Sequence, residues 1–154
     1  MQEPLFTIEN LDFSSRTADL IKDISFTIER GSVTVLAGKS GKGKSTLLKL
    51  IAGILVPSGG RVLYDGIDIQ SMNQEQNELF RRKASYVFQD SALWANQDIM
   101  HNVSLPLQIH FPSMPRKECE ERVMNLCRKI GYDRGFNLRP ADLSMGEQKK
   151  ISIA

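Results

Sequence analysis

The segment Gly38-Lys39-Ser40-Gly41-Lys42-Gly43-Lys44-Ser45-Thr46 constrains this chain more than any other. It spells G-x-x-x-x-G-K-[ST] at the point where an apolar run ends and a run of helix formers begins. Ahead of it, Val33-Thr34-Val35-Leu36-Ala37 predicts a short strand buried on both faces. Behind it, Thr46-Leu47-Leu48-Lys49-Leu50-Ile51-Ala52 predicts a helix, stopped by the stretch from Gly53 to Gly60 with Pro57 inside it. A loop of this kind is suited to a polyphosphate. Glycines let the backbone curl so that successive N–H groups point inward, and they remove the Cβ atoms that would block close approach. The helix that follows adds unpaired N–H groups and the positive end of its dipole. Residues Gly38 to Thr46 are therefore the candidate phosphate cradle. Lys44 would reach the β- and γ-phosphates as a point charge, and the Ser45 hydroxyl would ligate Mg2+. Lys39 and Lys42 add charge that either attracts the nucleotide or stays solvated.

The surroundings place this loop in a mixed architecture. Leu5-Phe6-Thr7-Ile8 and Ile24-Ser25-Phe26-Thr27-Ile28 predict strands, and Glu29-Arg30-Gly31 a turn. Arg61-Val62-Leu63-Tyr64 leads into the tight turn Asp65-Gly66. Gln74 to Lys83 is polar and helix-compatible, and Ala84-Ser85-Tyr86-Val87-Phe88 predicts a further strand that ends at Gln89-Asp90. From about Asp98 onward helical signals dominate. Arg116 to Ile130 places Cys119, Val123, Leu126, Cys127 and Ile130 at spacings of three and four, an amphipathic face.

Composition narrows the function classes. A formal net charge of +2, from 20 Lys and Arg against 18 Asp and Glu, supplies no electrostatic footprint for nucleic acid, so no nucleic-acid partner is expected. The longest apolar run, Leu47 to Val56, is interrupted by Lys49 and falls short of the roughly 20 residues a bilayer span needs. The opening MQEPLFTIEN has no basic region followed by an apolar stretch, so no signal peptide is expected. Cys119 and Cys127 have no C-x-x-C spacing and predict free thiols in the cytosol.

A second segment is Leu143-Ser144-Met145-Gly146-Glu147-Gln148. Ser144 with Glu147 three residues on is a capping box, and Gly146 leaves space over the first helical turn. Such a terminus is either a plain structural cap or a second anion-binding helix start.

With both segments present, the chain resembles the nucleotide-binding domains of ABC transporter ATPases. LSMGEQKKISIA is similar to that family's signature, LSGGQ or LSGGE, with Met145 in place of the first glycine. Gln89, in YVFQD at the end of the predicted strand, resembles the family's Q-loop glutamine. The phrase Ile21 to Ile28 with Gly31 resembles the stretch that precedes the family's phosphate loop.

The resemblance implies an α/β fold. It would have a P-loop NTPase core of the ABC type, an N-terminal antiparallel β-subdomain and an α-helical subdomain, incomplete at the C-terminus. Residues 1–95 would hold the core with Walker A and the Q-loop. Residues 96–154 would form the helical subdomain ending in the signature. The cofactors implied are ATP and Mg2+. Two such domains would pair head to tail, so that Ser144, Gly146 and Glu147 serve the nucleotide held by the partner subunit. Gln89, with Lys44, would act at the reacting phosphate, Gln89 approaching Mg2+ and the attacking water. Ser91 to His110 resembles the surface that docks on a transmembrane permease, and so implies a peripheral place on the cytoplasmic face of the membrane.

Further expectations follow from the same resemblance. The family's adenine-stacking position falls on Ser15, with Phe13 nearby as a substitute. The Walker B strand, the catalytic glutamate and the switch histidine would come after Ala154, and His101 and His110 precede the signature. Val33 to Ala37 would then expose an apolar edge, and the chain taken alone would bind ATP without turnover. The segments Val87 to Leu93 and Asn102 to Leu107 resemble lipid-trafficking and lipoprotein-release ATPases. The other readings are a soluble ABC protein of translation or DNA repair, and a binding-only module.

Overall fold

β-Branched and aromatic residues alternate along the first third of the chain, and there they build a sheet. The computed structural model describes residues 4–15 and 19–154. These fall into two compact units, Met1–Tyr86 and Val87–Ala154. Gln89 and the stretch up to residue 95, read from sequence with the core, share their contacts with the second unit.

In the first unit, β1 (Phe6–Ser14), β2 (Asp19–Ile28), β3 (Gly59–Tyr64) and β4 (Ile67–Asp68) form an antiparallel sheet in the order β2-β1-β3-β4. The β1–β2 pair is irregular between Ile8 and Leu11. Asn10 and Asp23 take left-handed conformations there, which Asn and Asp tolerate best among residues with a Cβ. The Asn10 amide side chain donates to Asp23 Oδ1 at 2.9 Å, and the Asp23 N–H donates to Asp12 Oδ1 at 2.8 Å, replacing ladder bonds that the irregularity removes.

Helix α1 (Lys44–Ile51) lays Leu47, Leu50 and Ile51 onto this sheet, where they share one core with Ile8, Leu11, Ile21 and Val62. Helix α2 (Gln74–Lys83) starts from a full capping box at Asn73. Its Phe80 ring lies 5.0 Å from Tyr64 and 6.4 Å from Phe6, an aromatic cluster that seats the helix on the sheet. The Arg81 guanidinium donates to the carbonyls of Ala52 and Gly53, each at 3.0 Å, and so satisfies acceptors that the end of α1 leaves open.

The second unit is helical: α3 (Ile99–His110), α4 (Arg116–Lys129) and α5 (Met145–Ile153). Ile99, Val103, Val123, Cys127, Tyr132, Leu143 and Ile151 form its core. Asp98 caps α3 by accepting from the His101 N–H at 2.7 Å. Both cysteines are buried free thiols, and burial pushes the Cys127 pKa up, which keeps it protonated.

Three local expectations need correction. Val33 to Ala37 is not a strand: it carries no ladder among the described residues, and Val33 and Val35 are 93% and 80% exposed. A strand persists only when its backbone groups find a neighbouring strand, and apolar composition alone does not supply one. Ala84 to Phe88 likewise carries no regular strand. On α4 the apolar face is narrower than the spacing predicts, because Leu126 is exposed while Cys119, Val123 and Cys127 are buried.

Gly60 anchors the sheet through geometry that no other residue reproduces. It has φ +71, and an added Cβ would lie 2.2 Å from the Asn10 carbonyl oxygen and 2.4 Å from that of Glu9. Gly60→Ala is expected to destabilise the chain by about 2 kcal/mol or more, read as a lower urea midpoint at unchanged m.

Candidate functional site

The phosphate loop is shaped by three glycines with positive φ. Gly38 is at 153°, Gly41 at 77° and Gly43 at 81°. Gly43 is required twice over. It is the left-handed N-cap of α1, and a Cβ there would meet the Leu20 carbonyl oxygen at 2.8 Å and Ile21 Cδ1 at 2.9 Å. The loop therefore closes directly against β2. No side chain caps α1 and no acidic residue lies in its first turn, so its leading N–H groups are left for an external acceptor.

Lys44 folds back over the loop. Its ammonium donates to the carbonyls of Gly38 at 2.8 Å and Lys39 at 2.7 Å, which holds the charge among the loop's own backbone groups. Ser45, the next residue, keeps an exposed side chain, and Thr46 is half-buried. Lys39, Ser40, Gly41 and Lys42 are exposed. Open backbone, bare helix start and inward ammonium together suit a polyphosphate, and the adjacent hydroxyl of Ser45 is the type of oxygen donor that Mg2+ takes. Phe13 packs against the core of this unit, whereas Ser15 is exposed.

In the second unit Gln89 is exposed in a turn closed by the Ser91 N–H donating to the Phe88 carbonyl at 3.2 Å. Two successive residues after it, Ser91 and Ala92, have φ of 65° and 49°, a strained run for residues with side chains. Sequence reasoning missed what holds this turn. Lys149, on α5, donates from its ammonium to the carbonyls of both Phe88 and Gln89, the latter at 3.0 Å. In sequence it stands beside Lys150 and the two are indistinguishable as solvated charges. In the structure Lys150 donates instead to the Gly131 carbonyl at 2.8 Å.

The signature helix starts as the sequence predicts. Ser144 Oγ accepts from the Glu147 N–H at 3.3 Å, and Glu147 Oε2 accepts from the Ser144 N–H at 2.8 Å and from its hydroxyl at 2.7 Å. Glu147 also lies 3.4 Å from the Arg134 guanidinium. Its carboxylate thus organises the turn. Gly146 has nothing within 4 Å of where a Cβ would stand, and Met145 is 83% exposed, so the open surface of this terminus lies at Ser144, Met145 and Gly146.

A glycine loop feeding a bare helix start, with an inward lysine, defines a P-loop nucleotide-binding fold. Comparison with known proteins narrows this class. A family profile described as "ABC transporter" matches residues 21–154, and the chain belongs to that family. It is 37% identical over 141 residues to methionine import ATP-binding protein MetN 1 of Rhodopseudomonas palustris, covering 92% of this chain and 37% of that protein. It is 31% identical over 150 residues to the intermembrane phospholipid transport system ATP-binding protein MlaF of Escherichia coli, covering 97% of this chain and 55% of MlaF. Among solved structures it resembles the dimeric post-hydrolysis state of the ATP-binding cassette MJ0796 bound to ADP and Pi, with a TM-score of 0.85, 26% identity, and coverage of 96% of this chain and 67% of that one. It also resembles cbiO1 of Clostridium perfringens, part of the ABC transporter complex cbiONQ, at a TM-score of 0.74, 29% identity, and coverage of 99% and 60%. The chain thus spans between about a third and just over half of the length of these two sequence relatives.

The Ser144 hydroxyl, first, then the Ser144 N–H and the Arg134 charge hold the Glu147 pKa below its ordinary value of 4.5. A depressed carboxylate pKa contributes stability that is present above the unfolded value and is lost as pH falls through the folded one. Glu147→Gln is expected to melt at a lower temperature than the parent chain at pH 7, with the gap closing as the pH falls through the lowered carboxylate pKa. A gap of constant size across that range would remove the ionised cap from this account.

Proposed function

We propose that this chain is the ATP-binding part of the energy-coupling ATPase of an ABC transporter. Residues Gly38 to Thr46 bind the phosphates, Lys44 supplies the point charge at the β- and γ-phosphates, and the Ser45 hydroxyl ligates Mg2+ with help from Gln89. When bound, Mg2+ supplies charge neutralisation across the phosphate oxygens. Gln89 orients the attacking water in the complete protein. Residues 1–95 act as the nucleotide-binding core and residues 96–154 as the helical subdomain. The observation that carries this reading is the Lys44 ammonium held inside a glycine loop at an uncapped helix start.

The partners proposed are a second copy of the domain, paired head to tail, and a transmembrane permease that keeps the protein peripheral on the cytoplasmic face. Ser144, Gly146 and Glu147 belong to the site formed with the partner subunit. The surface from Ser91 to His110 meets the permease. In support of that docking face, Trp94, Ile109 and Phe111 are exposed, and the Asn102 side chain locks the loop ahead of α3 by bonding Trp94, Gln97 and Asp98. A cleft of about 490 Å³ lies between α3 and α4, lined by Met100, Leu107, Phe111 and Met114 with Asp98 and Arg116 among its polar groups. The relatives carry methionine-import and phospholipid-transport names at 37% and 31% identity, so the proposal concerns energy coupling, with cargo chosen by the permease.

Residues 1–154 are expected to bind a fluorescent ATP analogue in Mg2+ without steady-state phosphate release. Lys44→Ala should weaken that binding by about 100-fold, because the phosphates lose a charge-assisted donor. Unchanged affinity in the variant would reject the loop as the nucleotide site, and clear turnover by the unaltered chain would reject binding without hydrolysis.

In the full-length protein, Ser144→Arg is expected to leave ATP binding by the monomer nearly intact and to abolish ATP-driven dimerisation. Size-exclusion chromatography in a hydrolysis-blocked background, run beside the binding titration, separates the two. Loss of monomer binding with normal dimerisation would contradict the assignment of the signature to the partner's nucleotide.

A further inference from the structure

Lys149 is a charged residue that the proposed chemistry does not use, yet its side chain is committed. It is half-buried on α5, and its ammonium donates to two consecutive backbone carbonyls, those of Phe88 and Gln89. Ordering a lysine costs rotamer freedom, so a lysine that leaves solvent for backbone acceptors must stabilise what it grips. It grips a turn under strain: Ser91 and Ala92, two and three residues beyond Gln89, both stand in the left-handed region. The Phe88 carbonyl takes two donors, the Lys149 ammonium and the Ser91 N–H, so the contact reaches the hydrogen bond that closes the turn.

The same helix opens at Ser144, one turn before Lys149, with its N-terminus exposed at Gly146. One rigid element therefore carries the signature at its start and holds the Gln89 backbone from its second turn. We propose that Lys149 is a positioning residue that fixes the Gln89 backbone to the signature helix. This rests on the reading of Gln89 as the group that approaches the reacting phosphate. The consequence is mechanical. Gln89 serves the nucleotide of its own subunit and the signature serves the nucleotide of the partner subunit, so Lys149 makes one body of two groups that answer to different ATP molecules.

The test uses the full-length protein with its permease and measures ATP turnover. Lys149→Met keeps the aliphatic stem and removes the donors, whereas Lys149→Arg keeps donors for both carbonyls. Lys149→Met is expected to lower kcat about tenfold with KM for ATP within about twofold, and Lys149→Arg to restore most of the rate. In a Gln89→Ala background, Lys149→Met should cost nothing further, because the residue acts through Gln89. Full activity in Lys149→Met beside a slow Gln89→Ala enzyme overturns the proposal alone, as do multiplying effects in the double variant. Full activity in Gln89→Ala overturns the underlying reading of that glutamine, and the proposal with it. Native-state amide exchange tests the contact without turnover. The Ser91 amide should exchange faster in Lys149→Met and at the parental rate in Lys149→Arg, and equal rates in all three chains overturn the proposal.

Discussion

The approach of Gly43 to β2 is the constraint on which the first unit depends. The Leu20 carbonyl and the Ile21 side chain leave no room for a Cβ at that point. The chain must therefore enter α1 through a left-handed glycine, and this fixes where the helix begins and where its first N–H groups point. The sheet is thus more than a support. It sets the floor of the phosphate loop, and the buried contacts of Leu47, Leu50 and Ile51 hold the helix axis over that floor. A loop anchored in this way is ordered before any ligand arrives, which would spare binding the entropy of ordering.

The two helix starts singled out in this chain solve opposite problems. At α1 the orphan N–H groups are left without a side-chain cap, and the nearest charge is a lysine. At α5 the N-cap serine and its glutamate satisfy the turn internally, and Arg134 balances the carboxylate. The first start invites a strongly charged ligand. The second is complete without one and offers a shaped, glycine-bearing surface, which suits a site that forms only when another subunit arrives.

What could be read from the residues follows from how local each signal is. The glycine loop, the capping box at Ser144 and the amphipathic spacing of Cys119, Val123 and Cys127 are set by neighbours in sequence, and the structure places them as expected. Val33 to Ala37 was the counter-example, because a strand is defined by a distant partner that its own residues do not name. Lys149 was illegible for a related reason. Its role depends on acceptors about sixty residues away, and nothing in the Lys149-Lys150 pair says which ammonium turns inward. The sequence also hides the left-handed pair at Ser91 and Ala92, since neither is a glycine and each is an ordinary loop residue by type.

The chain's two cysteines both lie in the helical unit; Cys127 is shut away in its core, whereas Cys119 lines the cleft between α3 and α4. Thiol reagents meet Cys127 only when that core opens, and the sheet-bearing unit has no thiol to contribute a signal. The molecule therefore carries its own clock for one half of itself. The rate at which Cys127 is alkylated in the native protein reports the opening free energy of the helices that present the signature, with no label introduced. Any ligand or partner subunit that steadies those helices will register as slower alkylation, even where it leaves the rest of the fold untouched.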